Sequence, residues 1–200
     1  MGMLIGVVLV VLAGMAIIYS GFVNMAATTK PSEMEEKIGE ELFERSMEKR
    51  ASNKKNPYSK NDPAALASGM EHYQENCLIC HGAPGVEPSE IGKGLNPPSP
   101  ALDIDDTQEM SDGQLYWTIE NGIRMTGMPA FGPTHSEDEI WTIVTFVRHL
   151  PQLTNEEKTA LATALKEEKG HHHEAGEKMK PSKPTQTRPK SDSHENHTHD

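Results

Sequence analysis

The sequence predicts an all-α protein in which one compact domain follows a single apolar segment and precedes a polar tail. Helix-start signals, in which a Ser, Thr or Asp cap comes before a run of helical periodicity, recur along the chain. The first 29 residues carry no charged side chain, whereas Lys, Pro, Ser and His dominate residues 170–200. A chain of 200 residues has room for one domain with such appendages.

Residues 1–29 are predicted to form a transmembrane helix. The run Met3–Ala27 is long enough to span a bilayer, which takes a helix of about 20 residues. A cleaved signal peptide has a basic start and a shorter apolar core, but no Lys or Arg precedes Lys30 here. We therefore expect a retained single-pass anchor, and cleavage after Ala26 or Ala27 is the alternative.

Residues 30–61 form a charged linker. Ser32 and Glu35 make a capping box, which predicts a helix from Pro31 to about Arg50. We expect a solvated helix that holds the next domain off the membrane, since acidic residues occupy both of its faces. The alternative is an amphipathic helix that rests on lipid or docks a partner subunit.

Residues 62–151 are predicted to form the domain, with three principal helices. The first begins at Asp62-Pro63 and ends near Asn76. The second begins at Ser111 with Gln114 and ends at Gly122, and the third begins at Ser136 with Glu139 and ends at Pro151.

Thr154 and Glu157 open one more amphipathic helix in residues 152–169. Residues 170–200 are too polar to build a core and are predicted to be a disordered tail. Six histidines make metal scavenging an alternative for this tail, although no carboxylate or cysteine completes a defined site.

The stretch Cys77-Leu78-Ile79-Cys80-His81 carries the chemistry. It reads C-x-x-C-H, the attachment signature of a c-type haem, in which two thiols form thioethers and the histidine binds iron. A zinc site needs more ligands, and the chain has only two cysteines. A thioredoxin-type motif is disfavoured, because no strand–helix–strand pattern surrounds these residues.

A second signal lies downstream, in a loop rich in glycine and proline. Met128 stands between Gly127, which lets the backbone approach a flat ring, and Pro129, which stiffens the loop. A soft thioether opposite a histidine suits a haem that carries electrons. Met125 is the competing residue, but its neighbours are ordinary helix-end residues, so we predict Met128 as the second iron ligand.

Together these motifs resemble class I cytochrome c, of the small membrane-anchored bacterial type. The resemblance covers about residues 62–151 and is carried by Gly69-x-x-x-Tyr73-x-x-x-Cys77-x-x-Cys80-His81, by Gly127-Met128-Pro129-Ala130-Phe131 and by Ile140-Trp141-x-x-Val144-x-x-Val147-Arg148-x-Leu150-Pro151. It implies a class I cytochrome c fold around one covalently attached haem c, and packing of Gly69 and Tyr73 against the last helix of the domain.

The resemblance also implies a ligand set. Cys77 and Cys80 would hold the haem, and His81 and Met128 would bind its iron. A backbone carbonyl in the loop after His81 would orient the imidazole, and we expect Pro97 to supply it, with Pro88 as a weaker candidate.

The charge of the domain bears on its partners. Residues 62–151 hold fourteen Asp or Glu and three Lys or Arg, a net charge of −11. This field repels nucleic acid and would steer a redox partner that carries a basic docking patch.

We predict an electron carrier of a respiratory chain, not an enzyme, anchored in the bacterial cytoplasmic membrane with its haem domain on the periplasmic side. The alternative is the haem c subunit of a larger membrane oxidoreductase, of the terminal oxidase or nitric oxide reductase type. A peroxidase usually needs a second C-x-x-C-H motif. A haem-based sensor needs an exchangeable iron ligand and a signalling domain.

Overall fold

The computed structural model describes residues 2–51 and 53–177, with side chains to residue 167. Over these residues the regular structure is helical, as predicted. The helices are α1 Gly2–Ser20, α2 Glu33–Arg50, α3 Pro63–Asn76, α4 Leu78–His81, α5 Glu90–Lys93, α6 Asp105–Gln108, α7 Asp112–Asn121, α8 Glu137–His149 and α9 Asn155–Glu177, with a 3-10 turn at Leu150–Gln152.

Helix α1 is apolar around its whole circumference, and its side chains are not buried by the rest of the protein. Its 19 residues correspond to about 28 Å at 1.5 Å per residue, close to the thickness of a bilayer core. Among the described residues it is the one helix long and apolar enough to cross a membrane. A membrane anchor and a signal sequence both fit this observation.

The domain is organised around the crossing of α3 and α8. A Cβ atom on Gly69 would lie 2.1 Å from the carbonyl oxygen of Thr142, so only glycine permits this separation of the two helices. One turn further on, Tyr73 is fully buried, and its ring centroid lies 5.3 Å from that of Phe146. The predicted packing of Gly69 and Tyr73 against the last helix of the domain is confirmed.

Helix α7 completes this core. Its buried residues include Leu115, Tyr116 and Ile119, and the Tyr116 ring lies 4.4 Å from the ring of Trp141 on α8.

The predicted helix starts are also confirmed. Side-chain caps are present at Ser32, Asp62, Ser111, Ser136 and Thr154.

The linker is more closely integrated than the sequence predicts. Met47 on α2 is buried, and the Thr118 hydroxyl donates to its sulfur at 3.7 Å. Asn56 donates to the Thr145 hydroxyl on α8 at 2.9 Å. The expectation of a solvated spacer therefore fits most of α2, which is exposed, but not Met47, whose side chain packs on the domain.

Helix α9 packs on the domain through Leu161 and Leu165, both of which are buried. It continues to Glu177, past the predicted boundary at residue 169. Residues 170–177 are thus helical where disorder was predicted, because extending an existing helix costs less than starting one. The rest of the predicted tail, with His194, His197 and His199, lies outside the described residues.

Candidate haem-binding site

The attachment motif forms a single helical turn, α4, separated from α3 only by Cys77. The amide of Cys77 donates to the Tyr73 carbonyl at 3.0 Å, and the amide of His81 donates to the Cys77 carbonyl at 2.9 Å. The buried Tyr73 hydroxyl donates to the Gly82 carbonyl at 2.7 Å. Both ends of the motif are therefore fixed by the helix that precedes it.

A tight turn follows the motif. Gly82 has φ +63°, and a Cβ atom there would lie 2.4 Å from the Val86 carbonyl oxygen. The chain then returns, since the Ser89 amide donates to the Ile79 carbonyl at 3.0 Å. A Cβ atom on Gly92 would lie 2.6 Å from that same carbonyl oxygen, so α5 lies directly against the attachment turn.

The carbonyl that orients His81 belongs to Pro100. Its oxygen lies 2.8 Å from Nδ1 of His81. A carbonyl can only accept, so Nδ1 carries the proton and the lone pair of Nε2 is left for a metal. Burial lowers the pKa of His81, and the bond to Pro100 partly opposes that shift. The imidazole is therefore kept in its neutral, metal-binding form.

The prediction of Pro97 for this role, with Pro88 as the weaker choice, is wrong. The path of the loop is fixed by Gln108, which follows it in the sequence. The side-chain amide of Gln108 donates to the carbonyls of Leu102, at 2.7 Å, and Val147, at 3.0 Å. These bonds fix the chain just after Pro100, so that its carbonyl meets His81.

The loop of residues 122–132, which we call the methionine strap, begins where α7 ends. Gly122 has φ +64°, and a Cβ atom there would lie 2.6 Å from the backbone of Pro129. The Ile123 amide donates to the Met128 carbonyl at 3.2 Å, and the Phe131 amide donates to the Ile119 carbonyl at 3.1 Å. The strap therefore folds back on its own start and on α7.

The two methionines of the strap have different environments. Met128 is half-buried and packs against the hydrophobic core, and its amide donates to the Thr126 hydroxyl at 3.1 Å. Met125 is 83% exposed and has φ +64°, an uncommon value for a residue other than glycine. Of the two, only Met128 is placed with the core.

Arg148 has a structural role that the sequence did not reveal. It donates to the Asp112 carboxylate at 2.8 Å, to the Gln108 carbonyl at 2.6 Å and to the Met110 carbonyl. It thus fastens the segment between α6 and α7 to α8. Helical periodicity does not predict this role, because the partners of Arg148 lie 36 to 40 residues earlier in the chain.

The residues at this site fit a covalently attached haem. The Cys77 thiol is buried among apolar side chains, and burial raises its pKa to about 12. A neutral thioether suits such a position, whereas a thiolate for a metal ion does not. Leu102, Met110, Met128 and Phe131 are half-buried apolar side chains packed on the core, as a flat apolar ring requires.

The family model described as cytochrome c oxidase, cbb3-type, subunit III, matches residues 64–147. These residues form a class I c-type cytochrome domain. The cytochrome domain implies a covalently bound haem c with iron, and a role in electron transfer, either as a carrier or within an oxidase. No curated protein matches the chain significantly.

Proposed function

We propose that this protein is a membrane-anchored c-type cytochrome that carries single electrons in a respiratory chain. Cys77 and Cys80 attach one haem, and His81 and Met128 bind its iron. The observation that carries the proposal is the pairing of two contacts. His81 is oriented by Pro100 at 2.8 Å, and Met128 is packed with the core on a strap that Gly122 turns back.

The haem supplies one-electron chemistry when bound. The protein would keep the iron coordinated in both oxidation states, with little rearrangement. The contact of His81 with Pro100 fixes the direction of Nε2, and Thr126 fixes the backbone at Met128. A site closed in this way carries electrons and does not bind substrate.

An optical spectrum of the oxidised holoprotein tests the ligand set. A weak far-red band marks methionine–iron ligation in this family. We expect it in the wild type, its loss in Met128→Ala, and its retention in the matched control Met125→Ala. A band that survives in Met128→Ala would refute the assignment. Its absence from the wild type would favour sensing or catalysis.

A second candidate function is that of a haem c subunit in a larger membrane oxidoreductase. It is favoured by the matching family model, described as subunit III of a cbb3-type oxidase, and by the unburied apolar surface of α1. Native electrophoresis of mildly solubilised membranes distinguishes the two. A subunit migrates with catalytic partners, whereas a free carrier migrates near its own mass.

The anchor is proposed to be retained, with the haem domain on the extracytoplasmic side. Mass spectrometry of the mature holoprotein tests the first point, because cleavage after Ala26 or Ala27 would remove α1. Resistance of the protein to alkaline extraction from membranes supports an anchor. Digestion of the haem domain by protease added to intact spheroplasts tests the side of the membrane.

A further inference from the structure

A polar side chain links the haem domain to the segment that leaves the anchor. The Asn96 side-chain amide donates to the carbonyl of Ala27 at 3.0 Å and to that of Thr29 at 2.9 Å. Asn96 lies in the loop between α5 and Pro100, which follows the haem-attachment motif. Both acceptors lie within ten residues of Ser20, the last residue of α1.

The segment after α1 belongs at the membrane surface. Phe22, Val23 and Met25 are 86%, 56% and 77% exposed, and apolar side chains so exposed next to a spanning helix favour the lipid interface. Even fully extended, the seven residues from Ser20 to Ala27 span at most about 25 Å. The bonds of Asn96 to this segment therefore turn its own loop toward the bilayer.

The same loop contacts both halves of the haem site. On the histidine side, Gly92 lies against the backbone of Ile79 and Cys80. On the methionine side, a Cβ atom on Gly127 would lie 2.5 Å from the side chain of Leu95. The segment from Gly92 to Asn96 thus contacts the attachment turn through Gly92 and the methionine strap through Leu95.

Two large apolar side chains are exposed on the segments that meet at this junction. We call the surface around them the strap face and define it by Ile91, Lys93, Arg124 and Met125. Ile91 is 56% exposed and Met125 is 83% exposed, on the two segments that meet at Leu95. The face also holds two of the three Lys or Arg of residues 62–151, with acidic side chains beside them. Lys93 pairs with Glu87 at 3.9 Å, and the exposed Glu90 directly precedes Ile91.

We propose that the strap face is the docking surface for an integral-membrane redox protein in the same membrane, and that Asn96 turns it toward that partner. The inference rests on the proposed function and on a retained anchor. The exposed Ile91 and Met125 suit a partner with an apolar contact area, and Glu87 and Glu90 beside them suit basic side chains at its margin. The position of the face near the bilayer favours a membrane-embedded partner over a soluble one.

Electron transfer from two ferrocene donors tests the orientation. The full-length holoprotein is reconstituted in phosphatidylcholine vesicles. One donor is a ferrocene with a lipid tail, confined to the bilayer, and the other is water-soluble. In the wild type we expect rapid reduction by the bilayer donor. Asn96→Ala should slow that reaction several-fold and leave the soluble donor unaffected, and the control Asn61→Ala should change neither rate.

The outcomes separate the two proposals. Failure to exchange electrons with either donor would contradict the proposed carrier function. Normal exchange with both donors, at a ratio of rates that Asn96→Ala does not change, would overturn the docking inference alone. A holoprotein that does not insert into the vesicles would also overturn it, because the orientation requires the anchor.

A second readout does not depend on electron transfer. The haem consumes both native cysteines, so Ile91→Cys introduces the one thiol available for a spin label. With the iron reduced, we expect nickel-chelating lipid to relax this label strongly, and Asn96→Ala to weaken that effect. Relaxation by soluble nickel chelate should stay the same. A label that is insensitive to nickel lipid in the wild type would overturn the inference.

Discussion

Nδ1 of His81 lies 2.8 Å from the carbonyl oxygen of Pro100, and this contact sets the direction of the proposed iron ligand. The acceptor is a backbone atom, so its position depends on the path of the loop and not on the identity of one side chain. Gln108 fixes that path through two hydrogen bonds, to the carbonyls of Leu102 and Val147. The properties of the iron should therefore respond to a residue that does not touch the haem ligands.

Gln108→Leu tests this dependence. Losing the two hydrogen bonds should lower the free energy of unfolding by about 1–3 kcal/mol, because two carbonyls lose their donor. It should also weaken the hydrogen bond that Nδ1 of His81 donates to the Pro100 carbonyl. The imidazole then becomes a weaker electron donor to the iron, and the reduction potential rises. Urea unfolding and a redox titration of the holoprotein measure the two effects. A lowered stability with an unchanged potential would show that Gln108 does not act on His81.

Gly69→Ala should destabilise the holoprotein, because the new methyl group would lie 2.1 Å from the Thr142 carbonyl oxygen and 2.9 Å from Cβ of Phe146. Overpacking of this kind costs about 1–3 kcal/mol or more. The matched control is Gly39→Ala on α2, where nothing lies within 4 Å of the new methyl group and a gain of about 0.5–1 kcal/mol is expected. Equal effects of the two variants in urea unfolding would contradict the close packing of α3 on α8.

Met125→Gly should stabilise the fold by about 1 kcal/mol, because φ +64° is costly for methionine and free for glycine. The far-red band should persist, since Met125 is exposed and is not the proposed ligand. Thermal unfolding followed together with the optical spectrum measures both quantities. Loss of the band in this variant would identify Met125, not Met128, as the iron ligand.

The helices of the domain could be predicted from the sequence because each begins with a local signal. Ser111 and Ser136 cap their own helices through residues three positions away, and Gly69 and Tyr73 share a face by helical spacing alone. Which carbonyl accepts the hydrogen bond from His81 could not be predicted in this way. Pro97 and Pro100 have equally suitable local sequences, and distant bonds made by Gln108 decide between them.

The burial of Met47 and the hydrogen bonds of Arg148 could not be predicted from the sequence for the same reason. Met47 contacts Thr118 on α7, which lies 71 residues later in the sequence. Arg148 binds Asp112 and Gln108, which lie 36 and 40 residues earlier. Such contacts depend on the tertiary arrangement of the helices, and neither residue has a pattern around it that would predict them.

Acid should weaken the start of α8. The amide and hydroxyl of Ser136 donate to the Glu139 carboxylate at 2.7 and 2.8 Å, and these bonds, with His72 and His135 nearby, lower the pKa of Glu139 below its ordinary value of 4.5. This contribution is complete above pH 4.5 and is lost as the pH falls through the lowered pKa. Glu139→Gln should therefore show a smaller loss of stability between neutral and acidic pH.

Urea unfolding of the holoprotein at a series of pH values measures the effect of Glu139→Gln. The control is Glu71→Gln, which changes an exposed carboxylate on α3 and should follow the wild-type profile. An identical pH dependence in the wild type and Glu139→Gln would show that this carboxylate contributes nothing to acid sensitivity.

The rate of electron transfer to a basic partner should fall as salt is added. The cytochrome domain carries fourteen acidic and three basic residues, and one of the basic residues, Arg148, is already paired with Asp112 at 2.8 Å. At long range a partner therefore meets a negative field, which salt screens over about 10 Å at 0.1 M. Stopped-flow mixing of the reduced protein with a strongly basic, oxidised c-type cytochrome measures the rate. Ferrocenium carboxylate, an electron acceptor with no net charge, serves as the control that salt should not affect. A rate that stays constant or rises with salt would contradict a partner with a basic docking patch.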